Sequence, residues 1–170
     1  MPTGHTTATS TNTSTVKPTA STTKAVPVTS TTSTTVAFAD EISNKRQQVV
    51  DLAISLTKKN IPYVYGGSTL SGMDCSGLVM YIMDNLFRAG YPHITTMQEK
   101  LGNYQEVSQA TKGDLLFWSN SGKGNSYHVA IYIGNNQYVD AGNIGEVVAI
   151  KAISSYFEPS YSVSPSIYSN

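Results

Sequence analysis

The chain contains one cysteine, Cys75, and three histidines, His5, His93 and His128. A single thiol forms no internal disulfide and cannot build a multi-cysteine zinc site, so it is either a small packing group or a nucleophile. Cys75 stands in Asp74-Cys75-Ser76-Gly77, just ahead of a run with apolar residues on nearly every side: Leu78, Val79, Tyr81, Ile82, Met83, Leu86 and Phe87. This pattern predicts a buried helix over 76–87 with Asp74 as its N-cap, which puts the cysteine at the first turn. Unpaired amides and the positive dipole end at such a position favour the thiolate, the nucleophilic form. A cysteine that served only packing would be expected in mid-helix, so its position points to covalent chemistry.

A thiol nucleophile needs a partner to take and return its proton. His5 lies in a hydroxyl-rich segment and His93 follows Pro92 in a loop. His128 opens the apolar run Val129-Ala130-Ile131-Tyr132-Ile133, and a strand there would hold an imidazole rigidly. The group that orients the imidazole is expected to be Asp140. If Ile133 pairs with Gln137 across a three-residue loop, Gly134-Asn135-Asn136, then Asp140 lies opposite Ala130, on the face of His128 and one diagonal step away. Such a diagonal spans about 7–8 Å, within reach of the two side chains. A two-residue loop would put them on opposite faces.

These residues need a helix and strands to carry them. Ile42, Val49, Ala53 and Leu56 recur at helical spacing, predicting an amphipathic helix over 40–60 that Pro62 ends. Residues 76–87 give the buried helix, and 95–101 a short one before a polar loop. Strands are expected at 115–118, 129–133, 138–141 and 146–151 as an antiparallel meander, with one more strand or a surface wrap after Ser154. Helices first and strands second make the class α+β, a small antiparallel sheet packed on a central helix.

Composition sets the domain boundary. Of residues 1–39, 20 are Ser or Thr and Lys17 and Lys24 are the only charges, so this part reads as a disordered linker or stalk. Residues 40–170 are long enough for one domain with its own core. The whole chain balances 11 basic against 11 acidic residues, and no basic stripe for nucleic acid is visible. No apolar run is long enough to span a bilayer. Polar residues follow Met1 where a signal peptide would be basic and then apolar, so the chain reads as a mature or truncated form with an added Met.

Four motifs resemble the NlpC-type cell-wall cysteine peptidases: Tyr63-Val64-Tyr65-Gly66-Gly67, Asp74-Cys75-Ser76-Gly77-Leu78-Val79, Lys112-Gly113-Asp114-Leu115-Leu116-Phe117, and His128-Val129-Ala130-Ile131-Tyr132-Ile133-Gly134. They stand in the family's order and cover most of 60–141. The resemblance implies a reduced papain-like fold and a secreted or wall-associated monomer without metal or cofactor. It also implies hydrolysis of peptidoglycan stem peptides, typically between γ-D-glutamate and the following diamino acid. Cys75 would carry the acyl group, His128 would be the base and Asp140 the third polar residue. Tyr63 matches a tyrosine whose hydroxyl lies beside the thiolate and substrate, and Asp74 and Ser76 match positions facing the substrate end of the groove. Tyr63 could equally cover the core, and Asp74 could cap the helix, contact substrate or do both.

The chain departs from the family pattern twice: the third position is more often His, and the loop after the catalytic helix commonly carries a basic residue where this chain has His93. Trp118 and the 11 tyrosines are candidates for the groove, most of them for core or rim. Two other readings stay open: a related cysteine amidase or cross-bridge peptidase, and a catalytically silent wall-binding module.

Overall fold

A computed structural model describes residues 30–170. The long helix α1, Ser30–Leu56, opens the described part and passes into a 3-10 turn at Thr57–Lys59. It begins ten residues before the expected start at Asp40, so the boundary expected after residue 39 falls inside a helix. No Gly or Pro stands between Pro27 and Pro62, and once a helix is nucleated each further residue adds a hydrogen bond. Residues 34–41 are exposed, and the helix joins the core through Val49, Val50, Ala53 and Leu56. The rest of the expected linker, 1–29, lies outside the described residues, as does His5.

Two short strands, β1 (Ser68–Thr69) and β2 (Gly72–Met73), form a hairpin that delivers the chain to α2, Cys75–Phe87. Asp74 caps α2, its Oδ1 accepting from the Gly77 N–H at 2.8 Å. Leu78, Val79, Ile82 and Met83 are wholly buried, which makes α2 the central helix. Arg88 ends it in the left-handed region, before the Gly90 and Pro92 expected to stop it. The next helix, α3, is a single turn at Thr95–Gln98.

A six-stranded antiparallel sheet follows: β3 (Gly102–Gln105), β4 (Leu115–Ser119), β5 (Ser126–Gly134), β6 (Gln137–Asp140), β7 (Ala149–Ala152) and β8 (Tyr161–Pro165), in the spatial order β3-β8-β4-β5-β6-β7. Strands β4 to β7 form the expected meander. The chain after Ser154 supplies β8, which enters the sheet between β3 and β4. Strand β3, expected as polar loop, has neither β-branched residues nor alternation; it exists because β8 offers it a partner at the edge.

The sheet has two faces. Leu115, Phe117, Val129, Ile131, Val139 and Val163 join α1 and α2 in the main core, whereas Leu116, Trp118, Ala130 and Tyr138 form a smaller cluster on the other face. A buried ion pair ties α1 to the sheet: Arg46 Nη1 donates to Asp114 Oδ1 at 2.6 Å, while Asp114 Oδ2 accepts from Gln105 Nε2 and the Thr111 N–H. Among the described residues no helix is long and apolar enough to cross a membrane.

Candidate active site

The hairpin of β5 and β6 sets the relation of His128 to Asp140, though not by the expected loop. Gly134, rather than Ile133, pairs with Gln137, leaving a two-residue turn of Asn135 and Asn136, both at positive φ. By itself that turn would put Asp140 on the wrong face. A bulge corrects it: Tyr132 pairs with Tyr138 and Ile131 with Val139, so one extra residue, Ile133, is absorbed on β5. Continuing this register sets Asp140 opposite Ala130, as a three-residue loop would have done. His128 Nε2 then donates to Asp140 Oδ2 at 3.0 Å, because a carboxylate can only accept.

With Nε2 so engaged, Nδ1 is the ring nitrogen left to serve the thiol. Cys75 lines the same groove as His128 and Asp140, and its negative charge acts on the imidazole, so the structure brings together the three side chains expected to form the centre. Val129 and Ile131 point into the core packed by α2, and His128 points to the other face. Cys75 is the first residue of α2, partly buried and packed against the main core, and it lines the groove together with His128.

Burial alone would lower the basicity of His128, which is 7% exposed. Hydrogen bonds to Asp140 and Cys75, with the negative charge of both, outweigh it and raise the pKa from 6.5 to about 9. Trp118 pairs directly with His128 across β4 and β5, their ring centroids 4.9 Å apart, and Phe157 lies against both rings, stacked on Trp118 at 4.8 Å and tilted toward His128 at 5.7 Å. Trp118 is therefore a buried wall of the site. Its role was not legible in sequence, because it follows from cross-strand register.

An open groove runs past the thiol on both sides. Tyr63, Cys75 and Tyr127 line both halves. The larger half, about 490 Å³, includes His128, Asp140, Lys151 and Phe157, and the smaller, about 310 Å³, includes Tyr65, Asp74, Ser76 and His93. The pKa of Tyr63 is raised by burial first, then by the charges of Cys75, Asp74 and Tyr65, which keeps its hydroxyl protonated and able to donate.

Asp74 is more heavily engaged than a cap requires. Oδ1 accepts from the Gly77 N–H and from His93 Nε2 at 2.7 Å, with Ser76 Oγ at 3.4 Å, and Oδ2 accepts from the Gly66 N–H at 2.7 Å. Both oxygens thus serve the protein, and it is His93 that extends this cluster into the groove. Gly77 has to be glycine, since a Cβ there would stand 1.9 Å from the Gly67 carbonyl oxygen. Lys151 was not anticipated: its Nζ lies 3.2 Å from Asp140 Oδ1. Only the pairing of β7 with β6 could have revealed it.

A cysteine at a helix start, sharing a groove with a histidine that a buried carboxylate orients, is the arrangement on which the sequence comparison bears. The NlpC/P60 family model matches residues 60–164. The chain belongs to the NlpC/P60 family. Among curated relatives, Protein P54 of Enterococcus faecium is 41% identical over 103 residues, 61% of this chain and 19% of that protein. Murein DD-endopeptidase MepS/Murein LD-carboxypeptidase of Escherichia coli (strain K12) is 39% identical over 101 residues, 59% of this chain and 50% of that protein. The chain spans about half the length, or less, of the curated relatives it matches. The NlpC/p60 domain of the peptidoglycan hydrolase SagA superposes with a TM-score of 0.64 at 38% identity, covering 70% of this chain and 97% of that one. The α+β, papain-like architecture of the NlpC/P60 domain is thus the fold of this chain.

Proposed function

We propose that this protein is a cysteine endopeptidase of peptidoglycan, acting at the cell wall on the stem peptide, with Cys75 as nucleophile, His128 as base and Asp140 as its orienting partner. One observation carries the reading: Cys75 shares a groove with the hydrogen-bonded pair His128 and Asp140, and stands where that groove meets a second one lined by Tyr65, Asp74 and His93, which leaves room for peptide on both sides of the thiol. The family membership and the names of the relatives agree with it.

His128 Nδ1 takes the thiol proton and Sγ attacks the scissile carbonyl carbon. The oxyanion is met by the Cys75 N–H, one of the amides at the start of α2 that have no partner within the helix, and by the Tyr63 hydroxyl. The imidazolium then protonates the leaving amine, and a thioester remains on Cys75. His128 next takes a proton from water, whose oxygen attacks the thioester and restores the thiol. Asp140 stays ionised throughout and holds the ring with Nδ1 toward sulfur. Ser76 and the Asp74–His93 cluster shape the smaller half of the groove, where the stem residues before the scissile bond would lie. The bond we assign is that between γ-D-glutamate and the diamino acid. The protein acts as a monomer, and the hydroxyl-rich segment before α1 serves as a spacer between this domain and its attachment.

A second reading follows from the relatives named murein DD-endopeptidases, which would place the cut in the cross-link. Purified protein incubated with sacculi, followed by mass analysis of the fragments, decides. New ends at the second stem position support the assigned bond, opened cross-links support the second reading, and release of whole stems overturns both. The Cys75→Ala variant should be inert; lysis that persists unchanged would remove the nucleophile assignment.

A further inference from the structure

We propose that Lys151 is a positioning residue that anchors Asp140 Oδ1 and so keeps Oδ2 aimed at His128. This rests on the cysteine-peptidase reading above.

Asp140 is 1% exposed, and a buried carboxylate is costly unless each oxygen is satisfied. Oδ2 accepts from His128, whereas Oδ1 is sealed from solvent and receives no aligned hydrogen bond. What faces Oδ1 is the Lys151 ammonium at 3.2 Å, close enough for an ion pair but off the hydrogen-bonding direction. The register explains the meeting: Asp140 pairs with Ala149 and Tyr138 with Lys151, so Lys151 is the diagonal neighbour of Asp140 on the same face. Glu146 Oε2 holds the ammonium from the other side at 2.6 Å. Burial works against the charge on Lys151, but the bond to Glu146 and the charge of Asp140 outweigh it, so the pKa is raised and the cation persists.

The backbone leaves room for this arrangement. A Cβ on Gly142 would stand 2.4 Å from Lys151 Nζ, 2.5 Å from Glu146 Oε2 and 3.3 Å from Asp140 Oδ2. The groups facing Asp140 are thus His128 from β5, Tyr138 from β6, Lys151 from β7 and Glu146 from the loop between β6 and β7; Cys75 of α2 is reached through His128.

Positioning and mere charge proximity predict opposite signs. If Lys151 only neighboured the pair, its removal would leave the Asp140 charge less offset and His128 would hold its proton more tightly. If Lys151 anchors the carboxylate, removal lets it swing, the 3.0 Å bond weakens, and His128 holds its proton less tightly.

The test is the NMR titration of the His128 ring in full-length Lys151→Met, with kcat and KM on a stem-peptide substrate. The expected result is a midpoint lower by about one pH unit, kcat lower by about tenfold, KM unchanged, and recovery of both in Lys151→Arg. A midpoint that stays or rises overturns the proposal. Should Lys151→Met not fold, Gly142→Ala displaces the ammonium with Lys151 intact and is expected to act in the same direction; an unchanged midpoint there overturns the proposal equally. The titration needs no substrate, so failure of wild-type protein to cut sacculi would count against the peptidase reading alone.

Discussion

Trp118 stands directly across β4 and β5 from His128, the two rings 4.9 Å apart at their centroids and tilted by 56°. The indole is 2% exposed and is stacked by Phe157, whose ring also lies 5.7 Å from that of His128. It therefore supports the fold and also limits the rotation of the imidazole. Trp118→Ala is expected to cost about 3–5 kcal/mol of stability, read from denaturant unfolding. At a temperature where the variant is folded it should also lose kcat. Trp118→Phe should recover most of the stability, and full activity in folded Trp118→Ala would show that the wall does not hold the ring.

Protonation of His128 makes a signed prediction for stability. Its folded value of about 9 lies above the ordinary 6.5, so the associated stabilisation is complete below about pH 6.5 and is lost as the pH rises through about 9. Unfolding midpoints of wild-type protein should fall across that window, and those of His128→Ala should fall less. In Asp140→Ala, which removes a bond and a charge that raise the value, the NMR midpoint of His128 should move down, and kcat should drop by about two to four orders of magnitude.

The bulge at Ile133 gives a test of register. Deleting Ile133 removes the bulged residue and leaves the Asn135-Asn136 turn to close a regular hairpin, with Tyr132 still opposite Tyr138 and Asp140 still on the face of His128. A folded deletion variant should therefore keep activity and leave the His128 titration where it is in the wild type. Gly134→Val, at φ +87, attacks the same feature by strain and should lower the thermal midpoint. Loss of activity in a folded Ile133 deletion, with the His128 titration moved toward 6.5, would mean that the bulge itself and not the register sets the pair.

Asp114 is wholly buried and tied to Arg46 of α1 at 2.6 Å. Asp114→Ala leaves the partly buried guanidinium unpaired and should cost about 3–5 kcal/mol. Replacing both, as Arg46→Met with Asp114→Leu, should cost less than the sum of the single changes. A double-mutant cycle on unfolding free energies measures the difference, and additivity would show that the pair does not couple α1 to the sheet.

Much of this protein was legible along the chain because it depends on neighbours in sequence. The apolar pattern after Asp74 defines α2, the cap follows from residues three apart, and the thiol at the helix start follows from both. The runs at 115–118 and 129–133 gave their strands because periodicity is local. The helix beginning at Ser30 was hidden by hydroxyl-rich composition, and β3 by weak propensity that an edge partner overcomes. What only the tertiary structure decided are contacts between residues brought together by pairing. Strand register sets Trp118 against His128 and Lys151 against Asp140. The expected face for Asp140 was reached by a different route, a two-residue turn plus a bulge, because one inserted residue restores parity and leaves little trace in the sequence. The residue types in Asp74-Cys75-Ser76-Gly77 and at His128 thus specify the chemistry, while strand register decides what surrounds it, since one residue of slip turns every side chain to the opposite face.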